Sequence, residues 1–298
     1  MMDIRSVINI FIRCSVKPIL SPEVPIWLQR MIIGVGGILL RGTPYTTKKR
    51  AVDGVRTCII TPPSTIETRG TLYLHGGGYV LGGRGSHAKL AARVGQSVRS
   101  KVWLPDYRLA PEKPYPHALN DALRVYLSLI KSGQAPHQLV LAGDSAGAGL
   151  ALATAIALRD AALPLPRAII LYSPWVDLSL SGRSIETHLS RDSMLKPDWL
   201  SWCADAYRGA LQKTDAECSP LFATLEGLPP ILIHVGSEEI LLDDSLRLTK
   251  SAQKAGLNVE FSCFEGVGHV FQLQAGIIDE ADRSLRQTGE FIERIMRQ

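Results

Sequence analysis

The sequence predicts an α/β protein with a mostly parallel central sheet flanked by helices, and three observations lead to that class. From about residue 71 onward, short apolar runs typical of buried strands alternate with helical segments. Asp53-Gly54 lies between two strand-like runs, which predicts a hairpin with antiparallel strands at one edge of the sheet. Gly143-Asp144-Ser145-Ala146-Gly147 joins an apolar run to an alanine-rich helical segment. Right-handed crossovers between the later strands would make the sheet mainly parallel.

The predicted elements follow the local patterns in chain order. Apolar runs bounded by turn residues predict strands at 51–52, 55–60, 71–74, 101–105, 139–142, 168–172, 231–235 and 259–264. Longer segments with helical periodicity predict helices at about 86–100, 117–131, 148–158, 244–255 and 277–296.

Two stretches lie outside this alternation. Residues 1–45 look helical and amphipathic, with Ser21-Pro22-Glu23 as the expected helix start and Gly42 followed by Pro44 as the expected stop. Residues 178–228 have irregular periodicity, with helical stretches around 199–211, and are predicted to be an inserted cap segment. We therefore expect an N-terminal helical cap segment at 1–45 and a main domain at 46–298. The N-terminal helices would pack on the main domain, form part of a lid over a lipophilic site, or do both.

Composition excludes several classes of protein. The chain has 298 residues, of which 46% are hydrophobic and 20% charged, as in an ordinary soluble globular protein. The net charge is +5, but no basic run is longer than Lys48-Lys49-Arg50, so no nucleic-acid partner is expected. The apolar stretch at 31–40 is about half the length that spans a bilayer, and no signal peptide is recognisable. We expect a cytoplasmic protein without a transmembrane segment.

The cysteines indicate neither a disulfide framework nor a metal site. Their number is odd and their spacing is wide, without a CxxC pair, which fits a reducing compartment. Cys58 and Cys263 lie in strand-like runs and are expected to be buried. No metal and no cofactor are predicted.

The pattern G-x-S-x-G at 143–147 is typical of a catalytic serine. A sharp turn from strand to helix strains the serine backbone and exposes its Oγ above the sheet. The helix that follows directs the positive end of its dipole, including the Ala146 N–H, at the reacting atom. The alternative is a simple turn in which Ser145 caps the helix.

A second glycine-rich segment follows an earlier predicted strand. His75-Gly76-Gly77-Gly78-Tyr79 comes directly after the predicted strand at 71–74. Glycine lets the main chain curl around a ligand and direct several N–H groups at one point, as an oxyanion hole requires. A flexible glycine turn is the alternative for this segment alone, but the two motifs on successive strand ends indicate one site.

A serine nucleophile requires a base and an acid that orients the base. His269 lies in a glycine-flanked loop after a predicted strand, whereas its competitor His234 lies inside an apolar strand and is expected to be a core residue. His87, His117, His137 and His188 precede the acid region, against the order serine, acid, histidine. The acid is expected on the loop after Gly236. Residues alone leave four carboxylates open there, namely Glu238, Glu239, Asp243 and Asp244.

Taken together, the motifs resemble one known family. His75 to Tyr79, Gly143 to Gly147, Asp106 to Pro116 and Ser173 to Leu178 are similar to the hormone-sensitive-lipase-like esterases, the bacterial family IV of the α/β-hydrolase fold. The resemblance covers about residues 50–298. The first 45 residues match only the variable N-terminal cap of that family.

The resemblance implies specific roles. Ser145 would be the nucleophile and His269 the base, with the N–H groups of Gly77, Gly78 and Ala146 as oxyanion donors. His75 would hold the glycine loop through a hydrogen bond. The family's Asp-Pro-Leu-x-Asp-Glu string aligns with residues 239–244, which puts Glu239 in the place of the acid and leaves Glu238 as the alternative.

Other roles implied by the resemblance concern the surroundings of the site. Asp106, Arg108 and Glu112 would form a buried charged network below the oxyanion hole. Tyr79 and Asp144 would line the substrate site. Apart from the resemblance, apolar residues of the cap segments would form the wall of an acyl pocket, with packing in the protein core as the alternative; they are Ile26, Trp27, Ile32, Ile33, Met194, Leu195, Trp199, Trp202 and Tyr207.

The function predicted from these residues is that of a serine carboxylesterase acting on a small-molecule ester. The resemblance implies short- to medium-chain acyl esters rather than long-chain triglycerides, and it is compatible with a homodimer formed through an edge strand or the last helix. An amidase, thioesterase or lactonase on the same site is the first alternative. A small-molecule receptor similar to the plant gibberellin receptors is the second, although those have lost the catalytic histidine.

Overall fold

The structure is a computed structural model that describes residues 3–37 and 40–298. Residues 1, 2, 38 and 39 of the predicted N-terminal segment lie outside the described residues. The strands are β1 (Thr46–Val52), β2 (Val55–Thr61), β3 (Gly70–Leu74), β4 (Lys101–Pro105), β5 (Leu139–Asp144), β6 (Ala168–Tyr172), β7 (Ile231–Gly236) and β8 (Val259–Phe264). The α-helices are α1 (Ile4–Ser15), α2 (Ile26–Gly36), α3 (Arg84–Ser97), α4 (His117–Lys131), α5 (Ala146–Asp160), α6 (Ser184–Thr187), α7 (Pro197–Arg208), α8 (Leu242–Lys254) and α9 (Asp279–Met296).

The strands form one sheet in the order β1-β2-β4-β3-β5-β6-β7-β8. β1 and β2 pair antiparallel across the Asp53-Gly54 turn, where both residues have positive φ (45° and 77°), as a tight hairpin turn requires. β2 also pairs antiparallel with β4, and all other neighbours are parallel. The predicted α/β class, with its mostly parallel sheet and opening hairpin, is therefore confirmed.

Helices cover both faces of the sheet, because side chains that alternate along each strand enter two separate cores. Leu141, Leu171 and Ile233 lie in a core shared with α4, α5, α8 and α7. Val140, Ile170 and Leu232 lie on the opposite face, in a core shared with α3 and α9. Central strands such as β5 are therefore buried on both faces and read as continuous apolar runs.

Two helices precede the sheet, as the amphipathic pattern of the first segment predicts. The predicted helix start at Ser21-Pro22-Glu23 is wrong, since α2 begins at Ile26 after Pro25. Pro25 fixes its own φ near the helical value and limits the residue before it, so the chain enters the helix only after this proline. In the described part of the chain, no helix is long and apolar enough to cross a membrane.

The predicted charged network of Asp106, Arg108 and Glu112 is wrong. Arg108 pairs instead with the buried Asp121 on α4, with Nη2 and Oδ1 2.7 Å apart. Glu112 is largely exposed and pairs with Arg30 of α2, again at 2.7 Å. A charged side chain pairs with whatever the fold brings near it, which the spacing along this loop does not reveal.

The expectation for the cysteines holds in part. Cys58 on β2 is buried, but Cys263 on β8 is exposed. β8 is the last strand of the sheet and has a neighbour on one side only. Strand-like periodicity is the same for edge and central strands, so it does not predict this difference in burial.

Candidate active site

Ser145 lies in a strained turn at the carboxyl end of β5. Its φ and ψ are 54° and −125°, a conformation that side-chain-bearing residues rarely adopt, and α5 begins at the next residue. Its N–H donates to the Tyr172 carbonyl at 2.8 Å, and its own carbonyl accepts from the Trp175 N–H at 3.1 Å. These bonds to the end of β6 hold the strained turn in place.

The glycine at the end of the turn is required by a close approach of main chains. A Cβ on Gly147 would lie 2.1 Å from the Leu74 carbonyl oxygen and 2.4 Å from that of His75. The first turn of α5 therefore presses against the end of β3, which leads into the glycine loop. This contact brings the two sequence motifs together, since a Cβ on Gly76 would lie only 3.1 Å from the Cβ of Ser145.

The glycine loop presents unpaired N–H groups beside Ser145. The Gly77 carbonyl accepts from the N–H groups of Val80 and Leu81, at 3.0 and 2.8 Å, so the chain curls back on itself there. None of the described residues accepts a hydrogen bond from the N–H of Gly77, Gly78 or Ala146. Unpaired amides near a nucleophile are what an oxyanion hole presents before its ligand binds.

His75 supports this loop from below. Its Nδ1 lies 2.9 Å from the Gly76 carbonyl oxygen, and its ring stacks on Tyr107 with centroids 4.2 Å apart. Burial lowers the pKa of His75 to about 3, so the imidazole is neutral at physiological pH and can donate to this carbonyl. The contact agrees with the supporting role that the resemblance implies.

We expect Gly77→Ala to lower kcat by about 10²- to 10³-fold, the effect of losing one oxyanion donor. The φ of Gly77 is 118°, and a Cβ there would lie 2.5 Å from the Leu81 carbonyl oxygen, so the loop must move. Steady-state kinetics with a p-nitrophenyl ester measure the effect. Gly133→Ala is the matched control, because Gly133 also has positive φ (96°) but has open space around its Cβ position. Equal activity in the two variants would contradict the assignment of the loop.

His269 and Glu239 form a buried pair at the ends of neighbouring strands. Glu239 follows β7 and His269 follows β8, and His269 Nδ1 donates to Glu239 Oε2 at 2.7 Å. Both side chains are almost fully buried. Burial alone would lower the pKa of His269, but the Glu239 carboxylate outweighs it and raises that pKa above the ordinary 6.5. The pair has the geometry of a base and the acid that orients it.

The other candidate acids have different partners. Glu238 forms a partly exposed ion pair with Arg191. Asp243 accepts from the Ser184 N–H, and Asp244 from the N–H groups of Val176 and Asp177. His234 is a buried core residue, as predicted, and its Nδ1 contacts Ser284 Oγ. Only Glu239, among these four carboxylates, contacts His269.

The link between Ser145 and His269 runs through the chain at the end of β6. The side chain of Ser145 forms no hydrogen bond with His269 or with any other described residue. Ser173 Oγ accepts from the Val270 N–H at 3.0 Å and donates to Glu239 Oε1 at 2.7 Å. Ser173 thus ties the histidine loop to the acid, while its neighbours hold Ser145. Contacts between catalytic groups are often long in a free enzyme and shorten when substrate binds.

Ser173 has no role in the sequence-based predictions, although it begins one of the segments that carry the resemblance. Its position in the sequence could have indicated a role at the site, since Ser173 directly follows a strand between those that lead to Ser145 and Glu239. Carboxyl ends of parallel strands lie at one edge of the sheet, which is where ligands bind in open α/β sheets.

The predicted substrate roles of Asp144 and Tyr79 do not fit their surroundings. The Asp144 carboxylate is buried, accepts from Tyr73 Oη at 2.7 Å and lies 3.2 Å from His87 Nε2. Tyr79 is buried and stacks on Tyr207 of α7 with centroids 3.6 Å apart. Both side chains are therefore buried and have partners within the protein.

The predicted pocket residues of the cap have mixed environments. Leu195 is buried and Met194 is half-buried, just before α7. Trp199 and Tyr207 are buried in the core around α7, whereas Trp27 on α2 is 65% exposed. Trp27 therefore lines no enclosed pocket in this structure.

Comparisons with known proteins agree with this geometry. The model of a family described as having the alpha/beta hydrolase fold matches residues 71–273. An acetyl-hydrolase from Streptomyces hygroscopicus is 40% identical over 230 residues, covering 77% of each chain. A protein named Esterase LipU from Mycobacterium tuberculosis is 36% identical over 294 residues, covering 93% of this chain and 98% of that protein.

Solved structures give the same result over nearly the whole length. The crystal structure of an esterase from the bacterial hormone-sensitive lipase family superposes with a TM-score of 0.93 at 32% identity, covering 99% of this chain and 100% of that chain. The chain therefore belongs to the α/β-hydrolase family and, within it, to the bacterial hormone-sensitive-lipase group.

Proposed function

We propose that this carboxylic ester hydrolase is a serine esterase that acts on short- to medium-chain acyl esters through an acyl-enzyme on Ser145. The observation that carries the proposal is the buried 2.7 Å contact between His269 and Glu239, at the same sheet edge as the strained Ser145 turn. A nucleophile after β5, an acid after β7 and a base after β8, all at one edge of the sheet, are the elements of acyl transfer.

The mechanism follows from the positions of these groups. His269 takes the proton of Ser145 as Oγ attacks the ester carbonyl, and Glu239 stabilises the imidazolium while it fixes the tautomer. The N–H groups of Gly77, Gly78 and Ala146 donate to the oxyanion of the tetrahedral intermediate. His269 then gives the proton to the leaving alcohol. The same base activates a water molecule, which releases the carboxylic acid and restores Ser145.

The substrate class is supported by the relatives and by the cap. The Streptomyces relative is named for removal of an acetyl group, which is the shortest common acyl chain. We propose that residues 1–45 and 178–228 together form a cap. The cap includes the half-buried Met194, which precedes α7. On α7, the Trp199 side chain lies so close to the glycine loop that a Cβ placed on Gly78 would be 3.1 Å from it. An apolar wall so close to the glycine loop favours a short acyl chain over a long one.

A series of p-nitrophenyl esters from acetate to hexadecanoate tests this function. We expect kcat/KM to be highest between acetate and octanoate and to fall steeply for longer chains. A matched p-nitroanilide, thioester and lactone distinguish the other acyl hydrolases, since the proposal predicts the ester to be the best substrate by at least about tenfold, roughly 1.4 kcal/mol in transition-state free energy. A protein inert toward all these compounds would contradict the proposal and favour a binding protein.

A further inference from the structure

Asp192 is a fully buried carboxylate in the chain between α6 and α7 that the proposed mechanism does not use. Its Oδ1 accepts from the N–H groups of Met194 and Leu195, each at 2.8 Å. Its Oδ2 accepts from the Ile240 N–H at 2.9 Å. Burial of a charged group is unfavourable unless hydrogen bonds compensate it, and this carboxylate receives three.

The hydrogen bond from the Ile240 N–H to Asp192 lies directly beside Glu239, the proposed catalytic acid. Glu239 is held on one side by the Gly236 N–H, which donates to Oε1 at 2.6 Å. On the other side, the main chain is held at Ile240 by Asp192 from a different part of the chain. A side chain 48 residues away in sequence thus holds the main chain directly beside Glu239.

The N-terminal segment binds the same stretch of chain. Lys17 Nζ donates to the Asp192 carbonyl oxygen at 2.6 Å, and Ser193 Oγ contacts Asn9 Oδ1 at 3.2 Å. Asp192 therefore lies where three parts of the chain meet: the segment after α1, the chain before α7 and the loop that carries Glu239.

We propose that Asp192 is a positioning residue that ties the cap to the acid loop and so sets the contact between Glu239 and His269. The proposal rests on the proposed function. The same carboxylate fixes the main chain at Met194 and Leu195, so the wall of the acyl pocket and the catalytic acid are oriented by one side chain.

The negative charge of Asp192 also affects the pKa of His269, which an uncharged structural contact would not do. Three carboxylates act on His269: Glu239 beside it, Asp192 from the cap and Asp144 at the end of β5, and all three raise its pKa. A base must be neutral to take the proton of Ser145, so the acid limb of the pH profile of kcat/KM reports the pKa of His269. Removal of the Asp192 charge lowers this pKa and moves the acid limb to lower pH.

Asp192→Asn tests the proposal by kinetics. The amide has one acceptor oxygen, so either the Ile240 N–H or the pair at Met194 and Leu195 faces an NH₂ group instead of an acceptor. We expect kcat to fall by about 10²-fold, the effect of displacing a catalytic group by about 1 Å. We also expect the acid limb to move to lower pH. Asp198→Asn, an exposed carboxylate at the start of α7, is the matched control and is expected to change neither quantity.

Asp192→Glu separates position from charge, and it also decides the test if the Asp192→Asn variant does not fold. It keeps the charge but lengthens the side chain, so we expect a loss of kcat with the acid limb near its wild-type pH. Wild-type kcat in both Asp192 variants would overturn the proposal. A loss of kcat in Asp192→Asn with an unmoved acid limb would overturn it in favour of simple structural support.

An NMR titration of the His269 imidazole gives a readout that needs no turnover. It is recorded for three proteins: Ser145→Ala alone, Ser145→Ala combined with Asp192→Asn, and Ser145→Ala combined with the Asp198→Asn control. A His269 pKa that is lower only in the protein that also carries Asp192→Asn supports the tie between cap and acid loop, even if the wild type hydrolyses no ester. An equal pKa in all three proteins overturns the tie. The ester series then decides the proposed function separately.

Discussion

Ser145→Ala is expected to abolish ester hydrolysis while the fold is retained. Loss of the nucleophile in comparable serine hydrolases lowers kcat by about 10⁶-fold, so at least about 10⁴-fold is expected here. The substitution removes only Oγ, which forms no hydrogen bond with any described residue, so no buried polar group is left without a partner. The thermal unfolding temperature should therefore stay close to that of the wild type.

The measurement is a comparison of initial rates with p-nitrophenyl butyrate, with thermal melting of both proteins by circular dichroism. Ser179→Ala is the control for loss of a serine hydroxyl, because Ser179 Oγ donates to Asp177 and to none of the proposed catalytic residues. Turnover by Ser145→Ala within about tenfold of the wild type, a difference of roughly 1.4 kcal/mol, would contradict its role as nucleophile.

Glu239→Gln is expected to lower kcat by about 10⁴-fold, the effect of the equivalent acid-to-amide change in a serine protease. The Gln oxygen would take over the position of Oε1, which accepts from Gly236 N–H and Ser173 Oγ. Its NH₂ group would then face His269 Nδ1. Two donors cannot face each other, so the imidazole adopts the other tautomer and loses its function as a base.

Glu238→Gln is the matched control, since it makes the same chemical change at the adjacent residue. The Glu238 carboxylate pairs with Arg191 at the surface, and surface ion pairs contribute little to stability. We expect kcat within about threefold of the wild type, well below the roughly 1.4 kcal/mol that a tenfold change represents. A severe loss in Glu238→Gln with near-normal activity in Glu239→Gln would assign the acid to Glu238 instead.

The parts of the fold that depend on local pattern are predictable from the sequence. The hairpin at Asp53-Gly54 follows from a turn that needs positive φ, and buried parallel strands such as β5 follow from continuous apolar runs. The serine turn and the glycine loop are recognised because each requires glycine for a close approach of main chains.

Features that depend on contacts between distant residues are not predictable in the same way. Four carboxylates lie between residues 238 and 244, and their spacing alone does not show which one faces His269. Arg108 pairs with Asp121 on α4 rather than with its neighbours along the loop, and the roles of Ser173 and Asp192 come from contacts 66 and 48 residues away. Association of two chains through an edge strand or the last helix, α9, stays a prediction.

The most direct test of the account is a stoichiometric label on Ser145. The wild type is treated with a fluorophosphonate, analysed by intact mass spectrometry and then mapped by peptide sequencing. We predict one adduct per chain, on Ser145, with ester turnover lost in proportion to labelling and with no adduct in Ser145→Ala. An adduct on another residue, or full turnover in a fully labelled protein, would contradict the assignment of Ser145 as the nucleophile.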